Sequence, residues 1–271
     1  MQLSDFKVFV PSTMYKDKDF TGYDISVYSY MSIFLFNKLY GMDYLYPGNI
    51  SFIMNHELPT TSQKKRIKNS LEKIINLNYV DGGVGEDGGY YIDVKCFPKL
   101  KGNYAVLPIM KIDNILALNY KFKYDLVKLY ALIIGSRRYD GAKRTYSEMT
   151  IDWFAEKIGV SAQTITKYIK ILEEQECICV IRSGVVKENN IYGAFEDKDM
   201  LSVLVPFQAE KMNNNRSLMQ KYYWVQRGKT YPQEEMIQIR NYIEKKNKKH
   251  AALQKEYPDG DYPQYDLSVL S

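Results

Sequence analysis

The sequence has no apolar run that approaches the ~20 residues needed to span a bilayer. Its first ten residues include Asp5 and Lys7 and no long apolar stretch, which argues against a secretory signal peptide. Only three cysteines occur in 271 residues, and this low number fits a reducing compartment. From these absences we expect a cytoplasmic protein that has no membrane partner.

Histidine is scarce as well, with only His56 and His250, each in a polar segment. Acid–base catalysis would therefore depend on carboxylates alone, and no His/Cys/Asp arrangement supplies a nucleophile together with its base. Cys177 and Cys179 alternate in an apolar run, which predicts structural cysteines on one strand face, because a metal site would need a second pair of ligands. We expect a protein that is not an enzyme and that uses no metal and no cofactor.

The glycine-rich segment 82–89 (GGVGEDGG) superficially resembles a phosphate-binding loop. No Gly-Lys-Ser/Thr follows it and no helix is predicted to begin there, so a turn between two short strands explains it better. The formal net charge of +5 permits a nucleic-acid partner without requiring one.

Two segments of the chain, 23–96 and 121–198, repeat one order of predicted elements: three helices and then a strand hairpin. In the first segment the helices are expected at 26–39, at 50–57, and from Thr61 or Ser62 to 77, with the hairpin around the glycine-rich turn. In the second segment the helices are expected at 124–135, 151–158 and 161–175, followed by strands at 177–182 and 185–194.

The remaining residues divide into an N-terminal arm (1–22), a linker (97–120), a helical extension (199–256) and a flexible tail (257–271). The linker contains an extended stretch at 104–108 and a short helix or docking segment at 112–118. The predicted fold is mainly α with small β-hairpin wings, that is, α+β: two winged helix-turn-helix domains in tandem plus C-terminal helices.

The most specific motif is Thr150–Val180, T-IDWFAEKIG-V-SAQTITKYIKILEEQE-CICV. It resembles the helix-turn-helix core of winged-helix proteins. Thr150 can cap the first of its two helices, Gly159 stops that helix and permits the tight turn, and Ser161 can cap the second. The first turns of that helix are expected to face a DNA major groove, with Gln and Thr reading base edges and Lys binding phosphates. The predicted contacts are Ser161, Ala162, Gln163, Thr164, Thr166, Lys167 and Lys170.

The corresponding helix of the first segment is more basic. Residues 56–75 carry a charge of +3, whereas residues 161–175 are neutral. We therefore expect the first helix to supply electrostatic affinity, and the second to supply base readout or a protein contact. The predicted contacts in the first segment are Gln63, Lys64, Lys65, Arg66, Lys68 and Asn69.

Two further groups of basic residues are candidate DNA contacts. Arg137 and Arg138 begin a basic loop, and Arg182 and Lys187 lie in the predicted second wing. Each group also fits an ordinary solvated surface. The basic run at 240–255 is interpreted as the solvated face of a helix.

Two winged helices in one chain resemble the replication initiators of plasmids and phages and, more loosely, the DnaD-like primosome proteins of low-GC Gram-positive bacteria. The resemblance implies a partner in double-stranded DNA, with a homodimer and host replication proteins as further options. A transcriptional regulator that binds an operator is one alternative. An adaptor that uses winged helices to bind replication or segregation proteins, without DNA contact, is the other.

Overall fold

The computed structural model describes most of the chain in several stretches. These are residues 6–37, 44–92, 103–137, 139–140, 143–144, 146–147, 149–181, 190–198, 218, 221–222, 224–226, 228–258 and 264–271. The chain forms two compact units, one of residues 1–180 and 192–195, the other of residues 181–191 and 196–271. Both repeated segments contribute to the first unit.

The protein is mainly helical, with small antiparallel sheets, and is therefore α+β. The helices of eight or more residues are α2 (Gly22–Asn37), α3 (Pro47–Asn55), α4 (Thr61–Asn76), α5 (Ile109–Ala117), α6 (Lys123–Gly135), α7 (Ile151–Ile158), α8 (Ala162–Glu174) and α9 (Gln233–Glu256). A short helix α1 (Ser12–Lys16) and 3-10 turns at Phe195–Asp197 and Ser268–Leu270 complete the described helical residues.

The strands among the described residues form four small sheets. The strand bounds are β1 (Lys7–Pro11), β2 (Tyr44–Leu45), β3 (Gly82–Val84), β4 (Tyr90–Ile92), β5 (Tyr104–Pro108), β6 (Tyr139–Asp140), β7 (Lys143–Arg144), β8 (Ile178–Ile181) and β9 (Ile191–Ala194). The pairs are β1–β5, β6–β7 and β8–β9, and one three-stranded sheet has the order β2-β4-β3. We call α2–α4 with β3 and β4 the first repeat, and α6–α8 with β8 and β9 the second repeat.

The predicted N-terminal arm and linker meet in one antiparallel sheet. β1 pairs with β5 in the register Lys7↔Pro108 to Pro11↔Tyr104. Val8, Val10, Ala105 and Leu107 are buried, as expected for strands with one face on a core. The sequence predicts the extended stretch at 104–108 but not its partner strand, because pairing between distant strands is a tertiary property.

Helix α6 lies at the centre of the first unit. Every residue from Leu126 to Gly135 is buried, and a helix that is apolar around most of its circumference must be covered on all sides. α2 begins against the first turn of α6: a Cβ added at Gly22 would lie 1.6 Å from the Tyr124 carbonyl oxygen. At the other end of α6, the Tyr15 hydroxyl donates to the Gly135 carbonyl oxygen at 3.0 Å.

The two repeats use the same backbone devices. α4 is followed by Asn78 and α8 by Glu176, both in the left-handed region, with φ of 58° and 53°. In each case the next amide N–H returns to a carbonyl in the last turn of the helix, which is the Schellman arrangement. The bonds are Tyr79 N–H to Ile74 O at 3.1 Å and Cys177 N–H to Leu172 O at 2.9 Å.

Several element boundaries differ from the sequence prediction. α2 begins at Gly22, inside the predicted arm, because its first turn packs on α6. α3 begins at Pro47 rather than residue 50, since proline is well tolerated at the first helical position. α4 is capped by Thr60, one or two residues before the predicted cap. Residues 38–43 and 182–189, which include the expected end of the first helix at residue 39 and the turn of the predicted second wing, lie outside the described residues.

In the second unit, α9 lies within the predicted helical extension (199–256) and ends with it at Glu256. Residues 264–271, part of the predicted flexible tail, are packed in the structure: Tyr265 and Leu270 are buried. The Asn247 side chain exchanges two hydrogen bonds with the Tyr265 backbone, at 2.8 and 2.9 Å. The Tyr222 hydroxyl donates to the Asp266 carbonyl oxygen at 2.6 Å. These contacts hold residues 264–271 in place. The Pro, Gly and Asp content of the tail predicts flexibility and gives no sign of such contacts.

Candidate nucleic-acid interface

The turn between α7 and α8 has the geometry predicted from the motif. The Thr150 hydroxyl accepts from the Trp153 amide at 3.1 Å, and the Ser161 hydroxyl accepts from the Thr164 amide at 3.1 Å. Gly159 has a φ of 84°, a left-handed conformation that costs glycine little. Both predicted caps and the glycine stop are confirmed. They leave the first turn of α8 at the surface.

The predicted contacts on α8 differ in how accessible their side chains are. Gln163, Lys167 and Lys170 are exposed, together with the cap Ser161. The hydroxyls of Thr164 and Thr166 already contact local groups, Ser161 Oγ at 2.9 Å and the Ala162 carbonyl oxygen at 3.0 Å. Lys170 Nζ lies 3.8 Å from Glu174, and in an exposed pair this costs little to separate. The side chain best disposed to read a base is therefore that of Gln163.

On α4 the cap is a reciprocal capping box. The backbone N–H of Gln63 donates to Thr60 Oγ1 at 3.2 Å, while the backbone N–H of Thr60 donates to Gln63 Oε1 at 2.7 Å. Gln63 is a predicted DNA contact, but its side-chain carbonyl oxygen already accepts a hydrogen bond from the backbone at the start of α4. Lys64, Lys65, Lys68 and Asn69 are exposed, and Lys68 lies 3.8 Å from Glu72.

Arg66 has an interaction that the sequence analysis missed. Its guanidinium lies over the Tyr23 ring, 3.7 Å from the ring centroid, and 5.0 Å from that of Tyr124. The two rings meet edge to face at 4.8 Å, and burial raises the pKa of both phenols, which keeps them neutral. A neutral ring face attracts a guanidinium, while the N–H groups in the guanidinium plane remain able to donate to a phosphate.

Lys167 occupies the same position in α8 as Arg66 in α4, six residues after the N-cap. Its Nζ lies 5.3 Å from the centroid of Phe122, the N-cap residue of α6. Phe122 stacks on Tyr120 and on Tyr168, with centroid distances of 4.9 and 4.8 Å. The start of α6 therefore contacts both α4 and α8. The Y-K-F-K-Y alternation at 120–124 is the sequence signal that could have identified it.

An aspartate near the start of each first helix, buried at Asp24 and half-buried at Asp125, joins that helix to the third helix of its repeat. Asp24 of α2 accepts from Ser70 of α4 and from Lys73 Nζ, the latter at 3.0 Å. Asp125 of α6 accepts from the Tyr168 hydroxyl of α8 at 3.3 Å. These contacts tie α4 to α2 and α8 to α6.

The pKa values of these two carboxyls shift in opposite directions. Burial alone would raise the pKa of Asp24, but hydrogen bonds from Ser70, Thr21 and Lys73 together hold it below its ordinary value. Burial raises the pKa of Asp125, and the Tyr168 hydrogen bond and the Lys128 charge offset that only in part.

The remaining predicted contacts are less well placed. Arg137 is half-buried, and its Nε donates to the Ile134 carbonyl oxygen at 3.2 Å, so one of its donors is used inside the fold. Arg138, Arg182 and Lys187 lie outside the described residues. Cys177 and Cys179 are both buried, at the start of β8.

In the described part of the chain, no group of three or more His, Cys, Asp or Glu side chains is arranged to hold a metal ion. Among the same residues, no helix combines the length and the apolar character that crossing a bilayer requires. No protein-family model matches the chain, and neither the curated proteins nor the solved structures contain a significant match to it.

Proposed function

We propose that this protein binds double-stranded DNA through two winged-helix modules in tandem, the first repeat and the second repeat. The order of elements, three helices and then a strand pair, supports this proposal in both repeats. So do the capped starts of α4 and α8, whose exposed first turns have the dimensions of an element that enters a major groove.

The observation that carries the proposal is the equivalence of Arg66 and Lys167. Each is the sixth residue of its helix, each is exposed, and each lies over an aromatic ring at the start of one of the two central helices. Arg66 and Lys167 thus both lie close to the start of α6, at Tyr124 and Phe122. If α4 and α8 were only solvated surface helices, there would be no reason for both of these cations to lie over aromatic rings.

The two modules are proposed to do different work. Lys64, Lys65 and Lys68 give α4 a positive charge that attracts phosphates whatever the sequence. On α8, Gln163 lies next to the capped start and can form paired hydrogen bonds with an adenine edge. Affinity would then depend mainly on α4 and sequence preference mainly on α8.

The first test measures duplex binding by fluorescence anisotropy over a series of salt concentrations. The expected result is an affinity that falls steeply with salt, because bound lysines release counterions. Replacing Lys64 and Lys65 by Ala should weaken binding to all sequences and flatten the salt dependence by roughly two phosphate contacts. Replacing Lys245 and Lys248, exposed lysines of α9, is the matched control and should change little.

Absence of duplex binding by the unaltered protein would overturn the proposal and favour the adaptor alternative. Equal losses in the α4 variant and the α9 control would show that the lysines act only through total charge. Gln163→Ala should lower the preference for the best site more than it lowers nonspecific affinity, and a uniform loss would contradict base readout.

We further propose that the DNA is a replication origin, as the resemblance to plasmid and phage initiators implies. Two different modules in one chain would read an asymmetric site, whereas a regulator that binds as a symmetric dimer reads a palindrome. Selection of bound fragments from genomic and plasmid DNA distinguishes the two. Asymmetric sites in direct repeats support an initiator, and palindromes upstream of genes support a regulator.

A further inference from the structure

The rings of Tyr120, Phe122 and Tyr168 form a continuous stack, which we call the aromatic stack. Tyr120 and Phe122 are nearly parallel, with an interplanar angle of 8° and centroids 4.9 Å apart. Phe122 and Tyr168 are inclined by 22° at 4.8 Å. Exposure rises along the stack: Tyr168 is buried, Phe122 is half-buried, and Tyr120 is 42% exposed.

Tyr120 leaves much of its surface uncovered. A tyrosine that served only to pack would gain by covering more of that surface, since the burial of apolar area is favourable. Tyr120 instead ends the stack at the surface, in the segment between α5 and α6, where its backbone bonds to Leu118 and Lys123. Phe122 stacks on the Tyr120 ring, and the exposed part of that ring offers a flat surface on which another aromatic group could stack.

The charge around the aromatic stack is positive. Lys121 follows Tyr120 directly and is exposed, and Lys167 lies 5.3 Å from the Phe122 centroid. The facing acid is Asp125, which is half-buried and accepts from Tyr168 at 3.3 Å, so its charge is directed into the fold. A ligand that suits this site has a flat aromatic face and a negative charge close to it.

A nucleotide with an unpaired base has both features. In a duplex, each base is covered above and below by its neighbours and cannot reach a protein ring, whereas in a single strand the base face is available. We infer that the aromatic stack is a binding site for single-stranded DNA, in which a base stacks on Tyr120 and Lys121 and Lys167 contact the adjoining phosphates. Lys167 is shared with the proposed duplex surface, but the inference does not depend on duplex binding, because its ligand is different and Tyr120 belongs to this site alone.

The test compares binding of a labelled oligothymidylate with binding of a duplex that contains a selected site. Tyr120→Ala should weaken oligothymidylate binding by about 5- to 150-fold, the range for loss of one stacked base. Tyr120→Phe should retain it, because the ring persists. Tyr257→Ala removes another exposed tyrosine, in the second unit, and is the matched control that should bind like the unaltered protein.

A second measurement needs no variant. Irradiation of the unaltered protein with an oligonucleotide that contains 5-iodouracil should produce a crosslink, and peptide mass spectrometry should locate it at Tyr120. The inference is overturned if the protein does not bind oligothymidylate, if Tyr120→Ala binds it normally, or if the crosslink lies elsewhere. Equal weakening of duplex and single-strand binding by Tyr120→Ala would also overturn it. If duplex binding is absent while the oligothymidylate results hold, the proposed function fails and the single-strand site stands.

Discussion

In the first repeat the exposed side of α4 carries Lys64, Lys65, Arg66 and Lys68, whereas the same side of α8 carries Gln163, Thr166 and two lysines. The backbone devices beneath these surfaces are alike: a side-chain N-cap, a left-handed residue after the helix, and an aspartate that ties the first helix to the third. One helical framework thus presents two different surfaces. The framework depends on caps and burial, whereas exposed lysines such as Lys64 and Lys65 lie outside it.

The repeats also differ in how their aspartates are satisfied. Asp24 receives hydrogen bonds from a hydroxyl and an ammonium group, whereas the side-chain donor to Asp125 is a phenol at 3.3 Å. The first repeat therefore stabilises a buried charge, while the second leaves its carboxyl partly uncompensated. Equivalent positions in a repeat need not have equivalent energetics.

The largest effect is expected where the repeats meet. Gly22→Ala would place a Cβ 1.6 Å from the Tyr124 carbonyl oxygen, so α2 and α6 would have to separate. We expect a loss of ~3 kcal/mol in the free energy of unfolding, at the upper end for overpacking because backbone atoms must move. Gly48→Ala is the control, since its nearest neighbour would be 3.6 Å away. Chemical denaturation of both variants measures the difference, and similar stabilities would contradict this account of the α2–α6 contact.

The next effect separates the two aspartates. Asp24→Asn removes a buried charge with well-placed donors and should cost about 2 kcal/mol at neutral pH. Asp125→Asn should cost less than half as much, because burial already disfavours the charged form of that carboxyl. Unfolding measurements on both variants test this ranking, and it is wrong if Asp125→Asn is the more destabilising.

The pH dependence of the same variants sharpens the contrast. Since the folded-state pKa of Asp24 is lowered, its contribution to stability is present above the unfolded-state value of about 4 and is lost as the pH falls through the folded-state value. The folded-state pKa of Asp125 is raised, so its charge opposes folding at neutral pH and this penalty is relieved as the pH falls. As the pH falls, the free energy of unfolding of the unaltered protein should therefore lose its advantage over Asp24→Asn. Relative to Asp125→Asn, the unaltered protein should instead become more stable.

The smallest effect concerns the caps. Thr60→Ala and Ser161→Ala should each cost about 1 kcal/mol, since each removes the acceptor for an amide in the first helical turn. Thr60→Ala should cost slightly more, because the returning Gln63 bond loses its reciprocal partner. Thermal unfolding of the two single variants and the double variant tests whether the caps act independently; strongly non-additive losses would contradict separate roles.

The local elements were largely predictable. Alternation of apolar residues with a period near four, together with Thr150, Gly159 and Ser161, located α7 and α8 to within one residue. The start of α2 and the pairing of β1 with β5 were not predictable, because residues far apart in the chain decide both. Among the proposed contacts, exposure at Lys64 and Lys65 followed from helix periodicity, but the positions of Arg66 over Tyr23 and Lys167 over Phe122 did not.

By itself the amino-acid order determined where α7 and α8 begin and end, since caps, glycine turns and apolar spacing act over a few residues and need no distant partner. Only the tertiary structure decided that the starts of α2 and α6 touch, which brings Tyr23, Phe122 and Tyr124 beside the exposed faces of α4 and α8. Close packing around α6 produces that arrangement, and packing between segments a hundred residues apart is not encoded in any one stretch of the chain.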